Sequence, residues 1–144
     1  MTAPSAGPSN RPMPPTAQLP LASATAQALS RGAALFDAGL FWESHEAWEA
    51  AWLVEQGDAR VLLQGLIQVA AGYHKATVQR QPSGCVKLLG AGLDKLRSVP
   101  DLLGGVPLSR LIPQVEATLR AAVRWREGEI AGLDRTQIPQ LRLA

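Results

Sequence analysis

Several residue types and patterns are scarce in this chain of 144 residues. It has a single cysteine, Cys85, which excludes an intramolecular disulfide and a cysteine-rich zinc site. Charged residues make up only 18% of the sequence and the formal net charge is +2, so a nucleic-acid-binding surface is not expected. Even the apolar run 62–73 is interrupted by Gln64 and Gln68, so it falls short of the roughly 18 to 20 apolar residues of a membrane span.

These absences favour a protein of the reducing cytoplasm that engages neither membrane nor nucleic acid. Residues 1–20 contain six prolines among serine, alanine and asparagine, a composition that cannot fill a core. They also lack the charged start and apolar centre of a secretion signal. We therefore expect a disordered proline-rich tail over residues 1–20, with a polyproline ligand as the alternative, and a helical domain over residues 21–144.

The rest of the chain has apolar residues at helical spacing, and its 47% hydrophobic content is enough for a core. The spacing predicts an all-α fold, a single antiparallel helical bundle of about five helices. The boundary signals are Ser23 and Gly39 for the first helix, Phe41 and Trp52 for the second, Asp58 as the N-cap of the third, Ser83 as the cap of the fourth, and Pro113 as a break in the fifth. Residues 130–144 lack helical spacing and are expected to pack as an extended tail across the bundle.

The second helix, FWESHEAWEAAW, combines aromatic and ionisable side chains. At about 100° per residue, Phe41, His45, Trp48 and Trp52 form one stripe, with Glu49 on its shoulder. Large aromatic rings on one stripe predict burial, and polar groups that are buried with them need partners. His45 and Glu49 are four residues apart and can satisfy each other.

The third helix adds further polar groups to a largely apolar surface. Gln64 and Gln68 are one turn apart and flanked by small residues, which suits a close helix contact, and His74 falls in an apolar region. The sequence therefore predicts a polar site between the two central helices, made of seven residues: His45, Glu46, Glu49, Arg60, Gln64, Gln68 and His74.

These residues resemble the signature of a small prokaryotic family known as domain of unknown function 309. The similarity runs from about Phe36 to Leu96, through the segments FDAGLFWESHEAWE and QGLIQ. The resemblance implies an all-helical domain and a family label of metal-dependent hydrolase. The family's motif residues correspond here to Glu43, His45, Glu46, Glu49, Trp52, Arg60, Gln64, Gln68 and His74. The chain departs from the family pattern at residues 79–85, where a short Gly-Asn turn is usual.

Three functions are compatible with the predicted polar site. His45, Glu49 and His74 could bind a divalent metal that activates water, although the pattern His45-Glu46-x-x-Glu49 lacks the second histidine of zinc proteases. The set could instead be a buried hydrogen-bond network that fixes helix register in a protein that binds a partner, which is the interpretation we favour. A small-molecule pocket walled by tryptophans is the third. Cys85 is expected to pack in the core rather than act as a nucleophile.

Overall fold

The computed structural model describes residues 21–144, and every regular element in this part of the chain is helical. Its five α-helices are α1 (Ser23–Asp37), α2 (Phe41–Trp52), α3 (Gly57–Thr77), α4 (Pro82–Leu96) and α5 (Leu108–Arg126). Two 3-10 turns, Leu103–Gly105 and Arg135–Gln137, lie in the connections. The predicted all-α class and helix number are confirmed. The predicted tail, residues 1–20, lies outside the described residues, so the division of the chain at residue 20 stays a prediction.

Each helix packs against the next one along the chain. Short connections, residues 38–40, 53–56 and 78–81, make the first four helices antiparallel to their neighbours, and a longer connection, residues 97–107, leads to α5. Helix α3 is the centre of the bundle, because side chains on most of its circumference are buried. It touches α2 on one side and α4 on the other, and the Tyr73 hydroxyl reaches Thr118 of α5. None of the helices in this region is long and apolar enough to cross a bilayer.

The contact between α3 and α4 is made close by glycine. A Cβ atom on Gly65 would lie 2.7 Å from Leu96 Cδ2, and one on Gly92 would lie 2.9 Å from the carbonyl oxygen of Gly65. The two backbones therefore meet with no room for a side chain between them. The sequence predicted a close helix contact at Gln64 and Gln68, whereas the close contact in the structure is made by Gly65 and lies on the side of α4.

Three predicted helix boundaries were wrong. Asp58 lies in the first turn of α3 rather than at its N-cap, which is Gln56, and Ser83 lies inside α4, which starts at Pro82. Pro82 is at the first helical position, where its missing N–H costs no hydrogen bond. Helix α5 is continuous through Pro113, because buried Leu111 and Val115 anchor the helix on both sides of the proline.

The C-terminal segment crosses the bundle, as predicted. Leu141 is fully buried in the core. The carboxylate of Asp37, at the end of α1, accepts the backbone N–H groups of Leu141 and Arg142, while the Arg110 guanidinium donates to the carbonyls of Gln140 and Leu141. One acidic and one basic side chain therefore hold this segment from opposite sides.

Candidate functional site

The buried face of α2 decides which of its polar residues are accessible. Phe41, Ser44, Trp48 and Ala51 are buried, whereas the predicted stripe ran through His45 and Trp52. Ser44 was missed. Its hydroxyl donates to the carbonyl of Gly32 at 2.9 Å, so a small polar residue fits against α1 with its hydrogen bond satisfied. The core face is therefore turned toward α1, and His45 and Trp52 lie at its margin, half-buried.

The residues at that margin face α3 and form what we call the α2–α3 seam. Six of its members are half-buried and two are exposed. The half-buried members are His45, Trp52, Arg60, Gln64, Gln68 and His74, and the exposed members are Trp42 and Glu49. Six of the seven predicted site residues thus belong to the seam, and all of them are at least partly exposed to solvent.

Trp42 lies between the two imidazoles of the seam. Its ring stacks on His45, with centroids 4.6 Å apart and planes inclined by 20°, and contacts His74 of α3 at 5.2 Å. The indole nevertheless remains 46% exposed, which is high for a tryptophan in contact with two rings. Trp42 was not among the predicted site residues. The signal was its spacing of three residues from His45, which brings two side chains onto one helix face.

The other end of the seam carries a cation over an aromatic ring. The guanidinium of Arg60 lies 4.2 Å from the centroid of Trp52. Between the two ends, Nε2 of His45 lies 3.7 Å from Oε2 of Glu49, within reach of an ion pair but too far for a hydrogen bond. The Glu49 side chain is 51% exposed, so this carboxylate is largely solvated rather than buried.

These contacts set the register of the two helices. Trp42 meets His74 and Trp52 meets Arg60, so in an antiparallel pair His45 lies opposite residues 67–71, the turn that contains Gln68. Nδ1 of His45 and Oε1 of Gln68 are both buried, and neither has a hydrogen-bond partner among the described residues. The middle of the seam therefore contains two polar atoms without hydrogen-bond partners, at about the same height along the helix axes.

Glu46 does not belong to the seam. It lines a groove on the other flank of α2, between α1 and α2, together with Glu43. This corrects its predicted place in the polar site between the two central helices. Successive residues on a helix are about 100° apart, and the rotation of the core face toward Ser44 leaves His45 and Glu46 on opposite sides of it.

The described chain offers few combinations of metal-binding groups. Between residues 21 and 144 there is no group of three or more His, Cys, Asp or Glu side chains that could hold a metal ion. Within the seam His45 and Glu49 are adjacent, while the contact found for His74 is with the Trp42 ring. Cys85 is buried as predicted, and burial raises the pKa of its thiol to about 12, so it stays protonated at neutral pH.

Residues 29–88 match the model of a protein family described as Domain of unknown function (DUF309). This match supports an assignment of residues 29–88 to the DUF309 family. The matched segment runs from within α1 into the first half of α4 and contains every residue of the α2–α3 seam. No curated protein matches the chain. Because the family description names no activity, function has to be argued from the seam itself.

Proposed function

We propose that this DUF309 domain is a binding protein, and that the α2–α3 seam is the surface that receives its ligand. The observation that carries this proposal is the pair of buried polar atoms without partners, Nδ1 of His45 and Oε1 of Gln68. An unsatisfied buried polar atom costs about 1 to 3 kcal/mol. A ligand that supplies the missing hydrogen bonds recovers that energy on binding.

The chemistry of the two atoms indicates what the ligand carries. In the neutral imidazole tautomer that has its proton on Nε2, the nitrogen nearest Glu49, Nδ1 of His45 has a lone pair and can accept a hydrogen bond. The amide oxygen of Gln68 is also an acceptor. The seam therefore suits a ligand with hydrogen-bond donors, such as an amide or amine group. Exposed Trp42 next to His45 offers a flat apolar surface to the rest of that ligand.

The first test needs no ligand. If the unpaired atoms serve binding, apolar replacements of similar size should leave stability unchanged or raise it, because they remove an unsatisfied group. We expect Gln68→Leu and His45→Phe to unfold at the same or higher urea concentration than the wild type. If the residues instead form a structural network, both substitutions should destabilise the protein.

Ser44→Ala provides the matched control. Ser44 lies on the same helix as His45, and its buried hydroxyl has a partner, the carbonyl of Gly32. Its loss should destabilise by about 1 kcal/mol or more, since the carbonyl loses its side-chain donor. A fall in stability for Gln68→Leu as large as that for Ser44→Ala would contradict the proposal.

Binding itself can be followed at Trp42. Small aromatic amides and amines should shift the indole N–H resonance of Trp42 in nitrogen-labelled protein, with assignment by Trp42→Phe. The shifts should disappear in Gln68→Leu, which removes an acceptor and leaves the Trp42 ring in place. Shifts that survive in Gln68→Leu would place the ligand elsewhere.

Metal-dependent hydrolysis is the second candidate, because Nε2 of His45 and the Glu49 carboxylate, 3.7 Å apart, are suitable metal ligands. A catalytic zinc site usually takes three protein ligands, and the described geometry brings two together, so we derive no catalytic step from it. Elemental analysis of purified protein separates the candidates. Stoichiometric metal that is lost in Glu49→Gln would favour the hydrolase.

A further inference from the structure

A second surface lies on the opposite flank of α2 from the seam. Between α1 and α2 runs an open groove of about 560 Å³, which we call the α1–α2 groove. Its lining comprises five side chains from α1 and four from α2: Ala24, Gln27, Ala28, Arg31, Leu35, Glu43, Glu46, Ala47 and Ala50. None of these residues belongs to the α2–α3 seam, so this surface is independent of the proposed ligand site.

The lining residues recur at helical spacing on both helices. On α1 the positions 24, 28, 31 and 35 follow steps of four, three and four, and on α2 the positions 43, 47 and 50 follow steps of four and three. Each helix therefore has a second face besides the one that packs in the core. Alanine dominates the floor of the groove, which lets another helix pair approach closely.

The groove also carries charges of both signs. Arg31 stands on the α1 rim, and Glu43 and Glu46 stand on the α2 rim. Within residues 21–144 none of the three takes part in an ion pair. A surface with a cation on one rim and carboxylates on the other is complementary to itself, which an interface between identical copies requires.

The register of α1 and α2 shows how such copies align. Ser44 donates to the carbonyl of Gly32, and Trp48 donates to the carbonyl of Leu29. Arg31 therefore lies at the same height along the helix axes as residues 45–46.

We propose that the α1–α2 groove docks a second copy of this chain about a two-fold axis parallel to the helices. This rotation places Arg31 of each copy over Glu46 of the other and makes all neighbouring helices antiparallel.

The size of the groove sets the strength of this dimer. Helices of 15 and 12 residues are about 22 and 18 Å long and pack about 10 Å apart, so the interface covers about 400 Å² on each copy. Stable interfaces bury about 800 Å² per partner. The dimer is therefore weak and dissociates on dilution, and the charges contribute selectivity between copies more than affinity.

Sedimentation equilibrium of the full chain and its charge variants tests the proposal. We expect the wild type to show a monomer–dimer equilibrium below about 1 mM. Arg31→Glu and Glu46→Arg each bring like charges together and should raise the dissociation constant at least about tenfold. The double variant with both substitutions restores opposite charges and should dimerise like the wild type. An equimolar mixture of the two single variants should form a heterodimer, because each supplies the charge that the other lacks.

Arg120→Glu is the matched control, since Arg120 is an exposed arginine on α5, outside the groove. It changes the net charge as Arg31→Glu does and should leave dimerisation as in the wild type. Circular dichroism confirms that each variant is folded, as expected for exposed positions. A wild type that stays monomeric to about 1 mM overturns the proposal. So does a dimer that is indifferent to both single substitutions, which would mean that the copies associate through another surface.

Discussion

The hydroxyl groups of Tyr73 and Thr118 are 2.7 Å apart in the core, joining α3 to α5 across 45 residues of sequence. Thr118 also donates to the carbonyl of Val115 at 2.9 Å, so it accepts from Tyr73. Both side chains are buried, and burial raises the pKa of the Tyr73 phenol. The buried Tyr73 hydroxyl therefore depends on Thr118 for its hydrogen bond.

Thr118→Val should destabilise the protein by about 1 to 3 kcal/mol, because it leaves the phenol of Tyr73 buried without a partner. Tyr73→Phe removes the hydroxyl that requires this partner. Urea unfolding of both single variants and the double variant gives the coupling energy, and the double variant should lose clearly less than the sum of the single losses. Additive losses would show that the two hydroxyls do not interact.

Gly32 of α1 lies directly against the Trp48 ring of α2. A Cβ atom on Gly32 would lie 2.1 Å from Nε1 of Trp48, which also donates to the carbonyl of Leu29. Gly32→Ala should therefore cost about 1 to 3 kcal/mol or more, since the indole has to move. Thermal unfolding measures the loss.

Gly90→Ala is the control for that substitution. Gly90 lies inside α4, and an added Cβ atom meets nothing within 4 Å. Alanine is the better helix former there, so this variant should gain about 0.5 to 1 kcal/mol. If both alanine variants change stability in the same direction, the steric account of Gly32 is wrong.

The contrast between Ser44 and His45 shows how far the sequence could predict the site. Periodicity correctly predicted the helices, and the motif residues predicted which two helices form the seam. The rotation of α2 was not predictable, because it depends on Gly32, twelve residues earlier in the chain. The missing side chain of Gly32 leaves room for Trp48, and its carbonyl accepts the Ser44 hydroxyl. Spacing alone cannot reveal such a contact. An error of about 50° in the orientation of α2 placed Glu46 in the predicted site and left Trp42 out of it.

The C-terminal segment depends on another contact that the sequence does not reveal. Each oxygen of the Asp37 carboxylate accepts one backbone N–H, from Leu141 and Arg142. Asp37→Asn replaces one acceptor by a donor and removes the charge, so it should weaken the attachment of this segment. Hydrogen exchange at the Leu141 amide should accelerate about tenfold or more, since a hydrogen bond to a charged group contributes about 1.5 to 3 kcal/mol.

Asp94→Asn is the control for the Asp37 variant. The Asp94 side chain is 80% exposed and lies 3.6 Å from Arg97, a surface ion pair that contributes little. Exchange at Leu141 should be unchanged in this variant. Equal acceleration in the two variants would mean that Asp37 does not hold the segment.

The last prediction concerns the buried thiol of Cys85. Burial raises its pKa from an ordinary value of 9.0 to about 12, so above about pH 9 the unfolded chain releases a proton that the folded chain retains. A group whose pKa is raised by folding contributes its full stability below the unfolded pKa and loses it as pH rises toward the folded value. Stability should therefore fall between pH 9 and pH 12, and this thiol accounts for about 2 to 3 kcal/mol of that fall by pH 11.

Cys85→Ala isolates the contribution of the thiol. It removes the titrating group and retains Tyr73, whose raised pKa produces a further alkaline loss in both proteins. The variant starts from lower stability at pH 8 because of the cavity, but its urea midpoint should decline less steeply from pH 9 to pH 11 than that of the wild type. Parallel declines would show that the thiol titrates alike in the folded and unfolded chains. In that event, Cys85 would also react with a disulfide reagent in the folded protein at pH 9, where we expect it to be inert because the buried thiolate does not form.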